Sequence, residues 1–230
     1  MYYAPAPDDP LVLAASAWLG RDAFGRTPGS RPTIPGVSPE EVEARTVDAR
    51  RYGFHATLKA PFRLAEGRSA AALVQALERF ANETAPAPLP SGLALADLEG
   101  FFALVPAEPS PALDALASRV VRNFEPFRAP LTPEEMARRK PERLSPRRRH
   151  YLERFGYPLV LEEFQFHMTL TDRLPPEERP MMRAALEGAF SSDLLGPRAA
   201  DRLALFREDR PGAPFVVDAM FPLKGFETSS

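Results

Sequence analysis

One five-residue pattern occurs twice in this chain. Phe54-His55-Ala56-Thr57-Leu58 and Phe166-His167-Met168-Thr169-Leu170 both read Phe-His-x-Thr-Leu. The sequence holds 3 histidines, and two of them stand in this context. Alternation of apolar and polar residues is the pattern of a strand with one packed and one polar face. It puts His55, Thr57 and Lys59 on one face, opposite Phe54, Ala56, Leu58 and Ala60. In the second copy His167, Thr169 and Thr171 share a face, opposite Phe166, Met168 and Leu170. A polar face on a central strand needs a partner or a purpose.

The surrounding sequence supports a repeat of more than five residues. The motif segments, Arg51 to Leu64 and Glu163 to Thr171, read as strands, with 112 residues between His55 and His167. After the first come a helix over Ser69 to Asn82 and two strands, Leu93 to Leu98 and Phe101 to Val105, joined tightly at Gly100. After the second come a helix over Glu177 to Phe190 and strands at Leu203 to Arg207 and Phe215 to Phe221. A short strand at Tyr2 to Pro5, a helix from Asp9 to Leu19 and a loop over 21–37 precede the first copy. Apolar residues at helical spacing also predict a helix from Ser110 to Phe124. Ser38-Pro39-Glu40-Glu41 and Thr132-Pro133-Glu134-Glu135 are helix starts with a capping box, while Ser110-Pro111 and Ser145-Pro146 repeat the cap alone.

Composition narrows the function. A net charge of −2 excludes a chain that holds polyanions by bulk electrostatics. There is no cysteine, so thiol nucleophiles, disulfides and cysteine–zinc sites are excluded. No signal peptide is read at Met1-Tyr2-Tyr3-Ala4-Pro5, and no apolar run reaches the roughly 20 residues of a membrane helix, so a cytoplasmic protein is expected.

Two imidazoles and two hydroxyls facing one cleft suit a phosphodiester. The threonines hydrogen-bond non-bridging oxygens, one neutral imidazole takes a proton from the attacking oxygen, and a protonated one supplies the leaving oxygen. This scheme needs no metal or other cofactor. Zinc, the rival use of two histidines, would want three or four good ligands, and no His-x-x-x-His or Glu-x-x-His cluster completes a set.

The paired motif, with Tyr3-Ala4-Pro5-Ala6-Pro7-Asp8-Asp9-Pro10-Leu11, Trp18-Leu19-Gly20-Arg21-Asp22, Arg51 to Phe62 and Glu162 to Thr171, resembles the two-histidine (2H) phosphoesterase superfamily. The nearer likeness is to an uncharacterised bacterial branch associated with phosphonate-utilisation operons. The resemblance covers nearly the whole chain. It implies an α+β, duplicated two-lobed fold, each lobe an antiparallel sheet with outer helices and a central cleft between the lobes. Residues 1–230 would form a single domain with halves 1–108 and 109–230 and a basic helical insert at 130–157. It further implies a metal-independent cyclic phosphodiesterase, a hydrolase, with His55 and His167 as the catalytic pair and Thr57 and Thr169 binding phosphate. Lys59, Thr171 and Arg51 are expected to bind substrate, with Lys59 marking the more anionic side. The expected partner is a small nucleotide- or ribose-derived phosphodiester, without a membrane or a stable protein partner. RNA-end processing or ligation, with a short RNA end as partner, and a non-catalytic phosphate-binding protein are the alternatives.

Arg51 is as well explained by solvent exposure as by phosphate contact, and Tyr52 reads as packing. Arg138, Arg139, Lys140, Arg143, Arg147, Arg148, Arg149 and Arg154 make the insert basic, either a solvated helical hairpin or a clamp for an anion, the former favoured. His150, with no matching threonine, reads as a surface residue.

Overall fold

In the computed structural model, which describes residues 1–225, short strands from both halves of the chain join in one sheet. The chain runs through β1 (Tyr2–Tyr3), α1 (Pro10–Leu19), α2 (Pro39–Ala44), α3 (Val47–Tyr52) and β2 (Ala56–Thr57). It continues through α4 (Ala70–Asn82), β3 (Ala87–Leu89), β4 (Leu93–Leu98), β5 (Phe101–Pro106), α5 (Pro111–Asn123), α6 (Pro133–Arg138) and α7 (Pro146–Phe155). The last elements are β6 (Met168–Thr169), α8 (Arg179–Ala189), α9 (Ser192–Leu195), β7 (Arg198–Ala200), β8 (Arg202–Arg207) and β9 (Val216–Pro222).

Seven strands order as β4-β5-β6-β2-β1-β8-β9, and β3 pairs with β7 in a separate two-stranded sheet. All pairings are antiparallel. One sheet per half is the arrangement expected from sequence; here the β4–β5 hairpin of the first half instead flanks β6 of the second. The two motif strands therefore lie side by side at the centre, with Ala56 opposite Met168.

One face of this sheet is the core. Tyr3, Ala56, Met168, Leu104 and Leu203 are buried there with Leu11, Ala15 and Trp18 of α1, Leu77 and Phe80 of α4, Leu116 and Val120 of α5 and Met182 and Leu186 of α8. These are the apolar stripes of amphipathic helices, which hide from water by packing on the sheet. Asp9, Ser38, Ser69, Ser110, Thr132 and Ser145 accept a backbone N–H at the start of their helices, and Ser38 with Glu41 and Thr132 with Glu135 close full capping boxes. The other face carries Tyr2, Ala204, Phe206 and Phe215 in a smaller apolar cluster beside the histidines.

Where the sequence predicts one long motif strand from Arg51 to Leu64, the structure has helix α3, a tight reversal and two residues of strand. Gly53 makes the reversal. Its φ is +75°, and a Cβ there would stand 2.7 Å from the Cβ of Ala23, so both conformation and space require glycine. The second strand shortens likewise, to Met168–Thr169.

Candidate functional site

The antiparallel register that sets Ala56 opposite Met168, extended by one residue each way, sets Thr57 across from His167 and His55 across from Thr169. Ala56 and Met168 point into the core, so the other four point out together. All four line one cleft of about 640 Å³. They are neighbours on one sheet face, not two faces meeting across a gap between lobes.

The two histidines are held in the same way. Nδ1 of His55 lies 2.9 Å from the Gly53 carbonyl, and Nδ1 of His167 lies 2.8 Å from the Gln165 carbonyl. A carbonyl only accepts, so Nδ1 carries the hydrogen and Nε2 of the neutral ring is left as an acceptor. The Thr57 hydroxyl lies 3.4 Å from Nε2 of His55. Rings brace both imidazoles: Tyr2 meets His55 edge-on at 4.5 Å between centroids, and Phe101 meets His167 edge-on at 5.9 Å.

Burial pushes the His55 imidazole down to about 4, and the charge of His167 presses the same way, against the hydrogen bond to Gly53. His55 is therefore neutral near pH 7. The folded form holds this proton less tightly than the unfolded chain, whose histidines titrate near 6.5. Its contribution to stability is complete above about pH 6.5 and is lost as pH falls toward 4, by up to ~3 kcal/mol. Urea denaturation across this window should show that loss, and His55→Ala should flatten this part of the curve.

The third inward position meets the same local irregularity in both copies. The N–H groups of Leu58 and Lys59 both bond to the Met1 carbonyl, and those of Leu170 and Thr171 both bond to the Phe102 carbonyl. Two successive donors on one acceptor make a β-bulge, which in the first copy turns Lys59 off the expected face. Lys59, expected to bind substrate, is buried: its ammonium lies 2.7 Å from a Glu125 carboxylate oxygen and 3.3 Å from the Val121 carbonyl. The Thr171 hydroxyl accepts the Phe102 N–H and is also buried, yet Thr171 still lines the cleft. Arg51 borders the cleft but is ion-paired to Glu208 and lies over the stacked rings of Tyr52 and Phe215.

Other cations do reach the cleft. Arg138 and Arg139, at the end of α6, line it and form no ion pair among the described residues. Elsewhere in the insert Arg147 and Arg148 pair with Glu163, and Arg149 with Glu153. Tyr2, opposite Thr57 on β1, is a cleft residue missed by sequence reasoning. Its apolar, aromatic surroundings in the sequence gave no sign of a site.

Among the described residues no three His, Asp or Glu side chains cluster as a metal site. Nor, among the described residues, is any helix long and apolar enough to cross a membrane. The chain's lysines are Lys59, Lys140 and Lys224, and none follows a glycine. A glycine-rich phosphate loop of the Gly-Lys-Ser/Thr type is therefore not part of this sequence.

A buried-core α+β protein with a polar, histidine-lined cleft on one sheet face is the class that fold and site define. The chain belongs to the family described as "Protein of unknown function (DUF1045)", whose model matches residues 57–216. It is similar to "Ribose 1,5-bisphosphate phosphokinase PhnN" of Janthinobacterium sp. (strain Marseille), 39% identical over 229 residues, 98% of this chain and 50% of that protein. The protein of the same name from Laribacter hongkongensis (strain HLHK9) is 37% identical over 217 residues, 94% of this chain and 49% of that protein. The chain spans about half the length of the curated relatives it matches.

These matches correct the sequence reading. They name a family other than the two-histidine phosphoesterases and relatives named as phosphokinases, so the cyclic phosphodiesterase and hydrolase assignment is withdrawn, with its phosphodiester and RNA-end partners. The physical reason lies in the motif. Imidazole and threonine groups recognise phosphoryl oxygens, which every phosphate ester offers, and do not specify which bond changes.

Proposed function

We propose that the cleft holds a phosphorylated ribose, the acceptor in a phosphoryl transfer of the kind named in the relatives, ribose 1,5-bisphosphate being the compound in that name. The observation that carries this reading is the grouping of His55, Thr57, His167 and Thr169 on one sheet face, with Arg138 and Arg139, which form no ion pair among the described residues, at its edge. The threonine hydroxyls donate to phosphoryl oxygens. The arginines give a second phosphate a charge partner that need not be taken from an existing ion pair. His55, neutral near pH 7, offers Nε2 as an acceptor for a sugar hydroxyl or a phosphate proton.

A sequence with no Gly-Lys step does not supply a loop of that type for the triphosphate donor. In this reading the chain supplies the sugar side of the transfer, in the cytoplasm and in phosphonate-linked metabolism. Calorimetric titration with ribose 1,5-bisphosphate tests it. Wild-type protein should bind, and His55→Ala and His167→Ala should each weaken binding about two- to ten-fold, as expected when a hydrogen bond worth about 0.5–1.5 kcal/mol is lost. Wild-type protein that does not bind, or variants that bind equally well, would contradict the proposal.

A further inference from the structure

The Tyr2 side chain is 2% exposed, and its hydroxyl has no hydrogen-bond partner among the described residues. A buried hydroxyl without a partner is destabilising, and such groups in folded proteins call for an explanation. Tyr2 lies opposite Thr57 in the sheet, on the cleft side, and lines the same cleft as the two histidines. Its ring is fixed on two sides, by His55 at 4.5 Å and by Phe206 at 4.7 Å between centroids. Arg51, Tyr52, Tyr157 and Glu208, the side chains whose charges act on the phenol, line that cleft too. Burial, the largest influence, keeps the phenol protonated, well above the usual tyrosine range.

We infer that the Tyr2 hydroxyl is a ligand-binding group that pairs with a hydroxyl of the ligand's sugar, so that the cleft distinguishes a sugar phosphate from bare phosphate. This rests on the reading of the cleft as a phosphorylated-ribose site. A sugar hydroxyl fits because it both donates and accepts, as the phenol does. A second phosphate fits poorly at this end, where the Glu208 carboxylate would repel it and the Arg51 cation is already paired to that carboxylate.

Tyr2→Phe keeps the ring and removes only the hydroxyl. Its thermal midpoint should equal or exceed that of wild type, since an unpartnered polar group is removed. Its dissociation constants for ribose 5-phosphate and ribose 1,5-bisphosphate should rise about three- to ten-fold, and that for inorganic phosphate should stay unchanged. Equal weakening of all three probes, or a midpoint several degrees lower with all three affinities unchanged, overturns the assignment. If wild type and Tyr2→Phe bind both ribose esters equally, the Tyr2 assignment alone falls. Wild-type protein that binds inorganic phosphate but neither ribose ester overturns the ribose reading and the Tyr2 inference with it.

Discussion

Trp18→Ala lowers the free energy of unfolding by about 3–5 kcal/mol, the range for emptying a large aromatic site in a packed core. Trp18 is fully buried on α1 and meets Phe190 of the second half edge-on, 6.2 Å between centroids. Its indole N–H donates to the Leu170 carbonyl at 2.8 Å. The substitution thus opens a cavity and leaves a buried carbonyl with one partner fewer. Leu170 follows Thr169, so the same contact anchors the second motif from beneath. For a domain of this size the thermal midpoint should drop by roughly 10 °C. Affinity for ribose 1,5-bisphosphate should also fall as His167 and Thr169 lose their support. A loss below about 1 kcal/mol in urea denaturation would show that the site relaxes around the cavity and that α1 is not the anchor described.

Lys59→Ala separates stability from binding. Burial pushes the Lys59 ammonium below the usual lysine range, and the bond to Glu125 opposes that shift. Glu125 also holds Arg128, its Oε1 accepting from Nη2 at 2.6 Å and from Nε at 3.0 Å. Removing one partner of a buried ion pair costs about 3–5 kcal/mol, because the remaining charge keeps its desolvation without its compensation. Arg128 remains beside Glu125, which places the expected loss near the low end, ~3 kcal/mol. The affinity for ribose 1,5-bisphosphate at a temperature where the variant is folded should match wild type. A large loss of affinity with intact stability would restore Lys59 to the cleft and contradict the bulge geometry.

Lys59 also shows where sequence reasoning reached its limit. Alternation put His55 with Thr57, and His167 with Thr169, on the polar face of each motif because it needs only three consecutive residues to be extended; the pairing of β2 with β6 makes those two faces one. It failed at Lys59 because the doubled hydrogen bonds to Met1 break the period, and nothing in Leu58-Lys59 marks a bulge. Helices such as α4 and α5 were legible from their apolar spacing and serine caps, and the β4–β5 hairpin from alternation and Gly100. Helix α3 was not, since Arg50-Arg51-Tyr52 has no apolar period of its own. Its N-terminus is instead held by Asp172, whose carboxylate accepts the N–H groups of Asp48 and Ala49 from 124 and 123 residues away. Such a long-range cap is invisible in local sequence. Arg138 and Arg139 were legible as charge, but only the placement of α6 separates them from the arginines that pair with Glu153 and Glu163.

The chain's 3 histidines make the central claim directly measurable. His55 and His167 line the cleft, while His150 lies on α7 and is exposed. Imidazole resonances, assigned from His→Ala variants, should be followed by NMR during titration with ribose 1,5-bisphosphate. The resonances of His55 and His167 should move together along one saturable curve while that of His150 stays in place. Resonances of His55 and His167 that stay fixed at saturating ligand, or a response confined to His150, would contradict a phosphorylated-ribose site in this cleft.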